Sequence, residues 1–356
     1  MKKTISLVMI VKNEAVFLQR CLESAAKYVN EIVIVDTGST DHTKEIALAF
    51  NATVYDYRWN NDFSAARNFA LDRSTSDWNL VLDADEFISN DCAEAIRDFI
   101  ENKEAIGKIK RVDKFSGPDG INYEQIYISR LFPSSCRYSG KIHEQIISDL
   151  PRVIIDVEIQ HDGYFQQSKN ERNIPILLEV IKENPLDPYF HFQIAKEYRG
   201  LERHEEALAH LKIAYANMTH QESYAPSIIV NLIYAIIATG QLGEGIQIID
   251  SELEFLNEYP DFFFVSALYL LELISSDPEQ YGGLVSLIEK YYKKALEIGD
   301  NGREGSVLGT GSYAALHNLG VFYEVTGRMV EAKECYAQAA EMNYSPSKDR
   351  LTGIHL

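Results

Sequence analysis

The sequence predicts a two-part molecule: an α/β half built on a largely parallel sheet, then an all-α half of repeated helical hairpins. Three observations carry this expectation. Short apolar runs alternate with amphipathic segments from Ile5 to Glu86, strand-like runs fill Gly107 to Ile159, and helical periodicity alone continues from about Lys169 to the end. Strands alternating with helices at this pitch indicate right-handed βαβ units.

Ile5 to Val11 is short, β-branched and almost continuously apolar, as suits a strand buried on both faces. A helix is expected to open at Asn13 and to fade near Tyr28, from the spacing of Val16, Phe17, Leu18, Cys21, Leu22 and Ala25. Glu31 to Val35 reads as the second strand, Thr43 to Phe50 as a helix, Thr53 to Tyr57 as a strand and Phe63 to Leu71 as a helix. Trp78 to Leu82 is the fourth strand. Gly107 to Val112, Gln125 to Phe132 and Val153 to Ile159 are expected to extend the sheet in antiparallel fashion, with a turn at Gly117-Pro118-Asp119-Gly120.

The C-terminal half repeats itself. Ile194-Ala195, Tyr198, Ala207, Leu211 and Ala214 have the spacing of a tetratricopeptide repeat. Leu319-Gly320, Tyr323, Gly327, Ala332, Tyr336 and Ala339 match it better. Small residues there let two antiparallel helices approach, and aromatics fill the gap between hairpins. Degenerate copies are expected around Tyr234 to Gly245 and Leu284 to Leu296; a non-repeating helical bundle is the alternative.

At 356 residues, 46% of them hydrophobic, the chain can bury two separate cores. Its formal net charge of -19 argues against nucleic acid and anionic lipid as partners. Cys21, Cys92, Cys136 and Cys335 lack the paired spacing of zinc or redox motifs and are expected to be reduced, structural thiols in a cytoplasmic protein. Lys2, Lys3 and the run from Ile5 imitate the start of a signal peptide, but Lys12, Asn13 and Glu14 cut it short. A membrane-spanning helix needs ~20 apolar residues, and no window supplies them.

Ligands of an open α/β sheet sit beyond the carboxyl ends of its strands. Three polar clusters lie there: Lys12-Asn13-Glu14, Asp36 to Asp41, and Asp83 to Glu86. One acid after a strand is commonly a cap or a turn former, but three clusters in consecutive βα units point to a site. In Asp83-Ala84-Asp85 alternate residues share a side, so both carboxylates can face one point. Two such carboxylates repel unless a cation separates them, and oxygen ligands suit Mg²⁺ or Mn²⁺ on a diphosphate.

These clusters resemble the family 2 glycosyltransferases, whose fold is the Rossmann-like GT-A fold. The resemblance spans Ile5 to Tyr164 and includes Ser6 to Glu14, Ile32 to Asp41, Asp62-Phe63-Ser64-Ala65-Ala66-Arg67-Asn68 and Asp83-Ala84-Asp85-Glu86. It implies a nucleotide-diphospho-sugar donor, uridine by family habit, held by Val11, Asn13, Glu14, Asp36, Gly38, Ser39, Asp41, Asp62, Arg67, Asn68, Asp83 and Ala84. Asp36 would lie near the base or ribose, Arg67 near the nucleotide, and Asp83 and Asp85 around the metal. Asp85 thereby counts among the catalytic residues. Arg67 has an alternative reading as half of a surface ion pair, and Asp41 as a helix cap. Family usage makes Glu144 the candidate base and His161 a third metal ligand, with His143 able to exchange roles with either.

Fused to tetratricopeptide-like repeats, the chain resembles bacterial peptide glycosyltransferases that modify Cys or Ser of bacteriocin precursors. The implied division is a transferase domain over 1–168 and a repeat domain over 169–356 that holds the acceptor peptide or protein, or forms a homodimer. The implied reaction inverts the anomeric centre, with a metal opposing charge on the diphosphate and a carboxylate taking the acceptor proton. The competing readings are transfer to a lipid-linked or cell-envelope glycan, and a catalytically inactive repeat scaffold.

Overall fold

The computed structural model describes residues 2–117, 120–161, 168–303 and 305–353, without the side chains of 115–122 and 168–169. The chain divides into two units, one of Met1–Ser116 with Gln125–Gln166, the other of Gly117–Glu124 with Gln167–Leu356.

The first unit runs β1 (Ile5–Val11), α1 (Leu18–Ala25), β2 (Glu31–Asp36), α2 (Thr43–Ala49), β3 (Thr53–Asp56), α3 (Phe63–Leu71), β4 (Trp78–Val81), β5 (Glu86–Ile88) and α4 (Ala93–Asn102). It continues with β6 (Ile106–Gly117), β7 (Gly120–Pro133), β8 (Arg137–Ser139), β9 (Gln145–Ile147) and β10 (Arg152–His161). Along the main sheet eight strands follow one another in the order β3-β2-β1-β4-β7-β6-β10-β5, with a ninth, short strand from later in the chain pairing with β7, while β8 and β9 pair separately. β1 is parallel to β2 and β4, and β2 to β3.

Successive strand residues face opposite sides, so β1 feeds two cores. Leu7 and Met9 pack with Leu18, Leu22 and Leu80; Val8 packs with Val35, Val81 and Phe132 on the other side. The continuous apolar run in β1 is therefore the signature of a strand covered on both faces.

Two expectations need correction. The helix foreseen from Asn13 begins at Leu18; Asn13 instead takes a left-handed conformation (φ 55°), and Val16 is 84% exposed. Asn13 is committed to a neighbouring loop, its N–H donating to Ser39 Oγ and its Oδ1 accepting from Thr40 N. The antiparallel extension holds for β4 with β7 and β5 with β10, but β6 and β10 run parallel. The long excursion through β7, β8 and β9 supplies the crossover that a parallel pair requires. Of the turn Gly117 to Gly120, residues 118 and 119 lie outside the described residues.

The second unit contains α5 (Ser168–Glu183), α6 (Pro188–Gly200), α7 (His204–Asn217), α8 (Ala225–Thr239), α9 (Gly245–Glu252), α10 (Pro260–Ser276), α11 (Pro278–Tyr281) and α12 (Val285–Ile298). A short strand β11 (Ser306–Val307) precedes α13 (Tyr313–Val325), α14 (Met329–Glu341) and α15 (Ser345–Gly353). The two repeat matches coincide with the packed pairs α6/α7 and α13/α14. At Gly320 an added Cβ would lie 2.7 Å from the Tyr336 ring, which is why a small residue stands there. The middle of the array departs from the simple repeat, since α10 pairs with α12 and α9 is only eight residues long.

A glycine-rich loop joins α12 to α13 and is tied down by two acids. Asp300 accepts from Gly311 N (3.0 Å) and Gly309 N, and Asp261 accepts from Ser306 Oγ (2.6 Å) and Val307 N (2.8 Å). Burial pushes the Asp261 carboxyl up to about 6, against the pull of those two donors. Among the described residues no helix is long and apolar enough to cross a membrane, and all four cysteines are free and buried.

Candidate active site

The loops after β1 and β2 are knitted together at the carboxyl ends of their strands. Val11 O accepts from Thr37 N (2.9 Å) and Thr37 Oγ1 (3.0 Å), and Glu14 N donates to Thr43 Oγ1. Asp36 Oδ1 accepts from Gly38 N (2.9 Å) and Ser39 N (2.8 Å), with Gly38 at φ 110° closing the turn. Asp36 is fully buried, and its Oδ2 has no hydrogen-bond partner among the described residues. A buried carboxylate oxygen without a donor is costly unless something else binds it. Asp41 uses Oδ1 on Thr43 N and Oδ2 on Ala15 N, so it fastens the two loops to each other.

A second group centres on Asp83. Arg67, on α3, and Arg130, on β7, are both buried, and their Nη2 atoms reach Asp83 Oδ1 (2.8 Å) and Oδ2 (2.7 Å) respectively. Arg67 Nε also donates to Glu144, and Arg130 Nη2 to Glu86 Oε1 (2.8 Å). Burial works against the charge on Asp83, but Arg130 and Arg67 outweigh it and hold the carboxyl well below the usual carboxylate range. Arg67 is thus no surface pair. Arg67 Nη1 and Arg130 Nε are buried with no hydrogen-bond partner among the described residues, leaving donors in reserve for an anionic ligand.

Asp85 faces elsewhere. Its Oδ2 lies 3.4 Å from His161 Nε2, while His161 Nδ1 sits 2.7 Å from Asp113 Oδ1. Burial alone would lower the His161 pKa, yet Asp113 and Asp85 more than reverse this and hold it up at about 9. Asp113, itself buried, is drawn down to about 2 by Arg111 and His161 despite that burial. The carboxylate repulsion foreseen between Asp83 and Asp85 is therefore relieved by side-chain cations: two arginines on one, an imidazole on the other. Among the described residues no three His, Cys, Asp or Glu side chains converge as a ready-made cage. The donor set nonetheless fits a divalent cation at Asp85 and His161. An imidazole whose far nitrogen is held by a carboxylate is the usual arrangement of a metal-binding histidine.

The remaining candidates serve the scaffold around these groups. Asp62 Oδ1 caps α3 through Ala65 N (2.9 Å), and Asn68 exchanges two hydrogen bonds with the backbone of Tyr138 (2.9 and 2.8 Å). Ala84 is buried between the two acids. His143 adopts φ 52° just after Gly140 at φ 100°, and that bend delivers Glu144 to Arg67. Phe63 N donates to Lys141 O, fixing the same segment against the start of α3.

Arg130, Arg111 and Asp113 were not singled out in the sequence. Their signal is a charge inside a strand-like run: Arg130 interrupts Ile126 to Phe132, and Arg111 and Asp113 flank Val112 on one face. Only pairing of distant strands shows what they meet.

Residues 6–154 match the model of glycosyl transferase family 2, and helical hairpins with tetratricopeptide-like spacing follow that segment in the chain. The SPbeta prophage-derived glycosyltransferase SunS of Bacillus subtilis strain 168 is 32% identical over 236 residues, which cover 60% of this chain and 54% of SunS. A TPR repeat-containing protein of Synechococcus elongatus is 38% identical over 149 residues, 41% of this chain and 36% of that one. Among solved structures, MamA aligns over 52% of this chain and 98% of its own at 17% identity and a TM-score of 0.39, too slight a likeness to support more. The chain spans about half the length of SunS.

Proposed function

We propose that the chain is a metal-dependent, inverting glycosyltransferase that moves a sugar from a nucleotide-diphospho-sugar, a UDP-sugar, to a Cys or Ser side chain of a peptide or protein. The observation that carries this reading is the buried charge system at the strand ends. Asp83 stands between Arg67 and Arg130, and Asp85 of the same Asp-x-Asp segment faces His161. Such density of buried charge is expensive for stability alone and suits a site that must receive a diphosphate.

In this reading Asp36 offers its unpartnered Oδ2 to the nucleoside, beside the Val11–Glu14 and Gly38–Asp41 loops. Arg67 and Arg130 turn their unused N–H groups toward phosphate oxygens. Asp85 and His161 would hold Mg²⁺ or Mn²⁺, which when bound opposes the charge that grows on the leaving diphosphate. Glu144 takes the acceptor proton, and its ion pair with Arg67 connects the base to the phosphate side. A thiol acceptor asks less of that base than an alcohol, because a thiolate forms more readily. Residues 1–168 would bind the donor and 169–356 the acceptor peptide.

The test is a screen of nucleotide-sugars with Mn²⁺ or Mg²⁺ and Cys- or Ser-containing peptides, following nucleoside diphosphate release and peptide mass. Release with a UDP-sugar and a hexose-sized mass gain on the peptide is expected. If no nucleotide-sugar is turned over in the presence of either metal, the reading fails.

A further inference from the structure

We infer that Asp113 is a positioning residue that fixes His161 for cation binding; the inference rests on the metal-dependent reading above. Strand register brings the two together, since Asp113 on β6 and His161 on β10 are direct partners in the parallel pair. His161 is also the register partner of Glu86 on β5, so the imidazole stands between two strands that each carry a buried acid.

Both Asp113 oxygens are engaged. Oδ1 meets His161 Nδ1 at 2.7 Å and lies 2.7 Å from Arg111 Nε, and Oδ2 accepts from Arg111 Nη2 at 2.9 Å. With both oxygens engaged and the residue 2% exposed, its work is done through its neighbours. A carboxylate on Nδ1 keeps a proton there when a metal displaces the other, so that Nε2, the nitrogen directed at Asp85, is the one that would coordinate. Arg111, two residues earlier on the same strand face, holds the carboxylate in turn and bonds Glu86 at 3.4 Å. The chain of contacts Arg111–Asp113–His161–Asp85 thus runs from the sheet interior to the Asp-x-Asp segment. A purely structural ion-pair network would use the same contacts, but it would make no demand on cation affinity at the Asp85 side of the ring.

The experiment is calorimetric titration of Mn²⁺ into the UDP-saturated full chain, for wild type, Asp113→Asn, His161→Ala and the double variant. Asp113→Asn should weaken Mn²⁺ binding by ~10–100-fold, as loss of such a supporting carboxylate does elsewhere. His161→Ala should weaken it at least as much, and the double variant no further than His161→Ala alone. Additive losses, or unchanged affinity in Asp113→Asn, overturn the inference while leaving the metal-dependent reading intact. Undiminished binding in His161→Ala removes His161 from the ligand set and the inference with it. Absence of Mn²⁺ binding in wild type instead defeats the metal-dependent reading itself. Because Asp113→Asn leaves Arg111 less well compensated, Asp113→Glu serves as the second variant. It keeps the charge beside Arg111 but displaces the oxygen from Nδ1, and its affinity should again fall; an unchanged value counts against the inference.

Discussion

Both units bury acids, but on different terms. In the α/β unit Asp83, Glu86 and Glu144 meet arginines from other elements and Asp113 one from its own strand, and charged atoms such as Asp36 Oδ2, Arg67 Nη1 and Arg130 Nε stay without hydrogen-bond partners among the described residues. In the helical unit the buried Asp261 meets no cation among the described residues; a hydroxyl and a backbone N–H satisfy it, and it fastens a loop. The first arrangement holds charge in readiness. The second minimises it, and burial accordingly raises the Asp261 pKa, whereas Asp83 is driven down. Buried charge that is paired yet incompletely satisfied thus sets the proposed site apart better than burial of acids alone.

The sharpest way to break this comparison is Asp85→Ala. It should cut turnover by at least ~10²-fold, since loss of a ligand costs no less than loss of its supporting group, and should leave the circular-dichroism spectrum unchanged. Near wild-type diphosphate release by a folded variant would make the Asp85–His161 pair structural. Glu144→Gln should lower transfer by ~10²–10⁴-fold with donor affinity retained, measured by calorimetry beside the transfer rate. Loss of donor binding would assign Glu144 to holding Arg67 instead. With a Cys acceptor the deficit should shrink as pH rises, because solution thiolate bypasses the base.

Arg130→Met tests the cost of readiness. It strips a cation from Asp83 and Glu86 together, and should destabilise the chain by ~3–5 kcal/mol in urea denaturation. In the helical unit Asp261→Asn should act in the opposite direction. The folded pKa of about 6 lies above the ordinary 3.8, so the aspartic acid favours the fold fully below pH 3.8 and loses that advantage as pH rises through 6. Asparagine keeps both hydrogen bonds without the charge, so near pH 7.5 the variant should gain up to about 2–3 kcal/mol and lose the slope between pH 4 and 7. A retained slope would show that another group titrates. Smallest is Gly320→Ala, whose new methyl meets the Tyr336 ring; a loss of ~1–3 kcal/mol in thermal unfolding is expected, and a neutral result would mean that α13 and α14 separate easily.

Much of this was legible in the chain itself. Largely apolar runs over Ile5–Val11, Glu31–Val35 and Trp78–Leu82, set between amphipathic segments, pointed to strands covered on both faces, because a half-exposed strand alternates polar with apolar residues. The 3.6-residue periodicity and the small residues at Gly320 and Ala332 determined the paired helices. The Asp36 and Asp83 clusters announced a site, because acids at successive strand ends gather on one edge of a parallel sheet. Tertiary structure alone decided which charges meet. Asp113 reaches His161 across 48 residues of chain, and Arg130 reaches Asp83 across 47, through the register of β6, β7 and β10. It also decided that Asn13 would turn into a left-handed bend instead of opening a helix, since its partners, Ser39 and Thr40, lie in another loop. Local sequence carries periodicity and propensity, which depend on near neighbours. The pairing of a buried charge depends on strand order and register, which only the closed fold supplies.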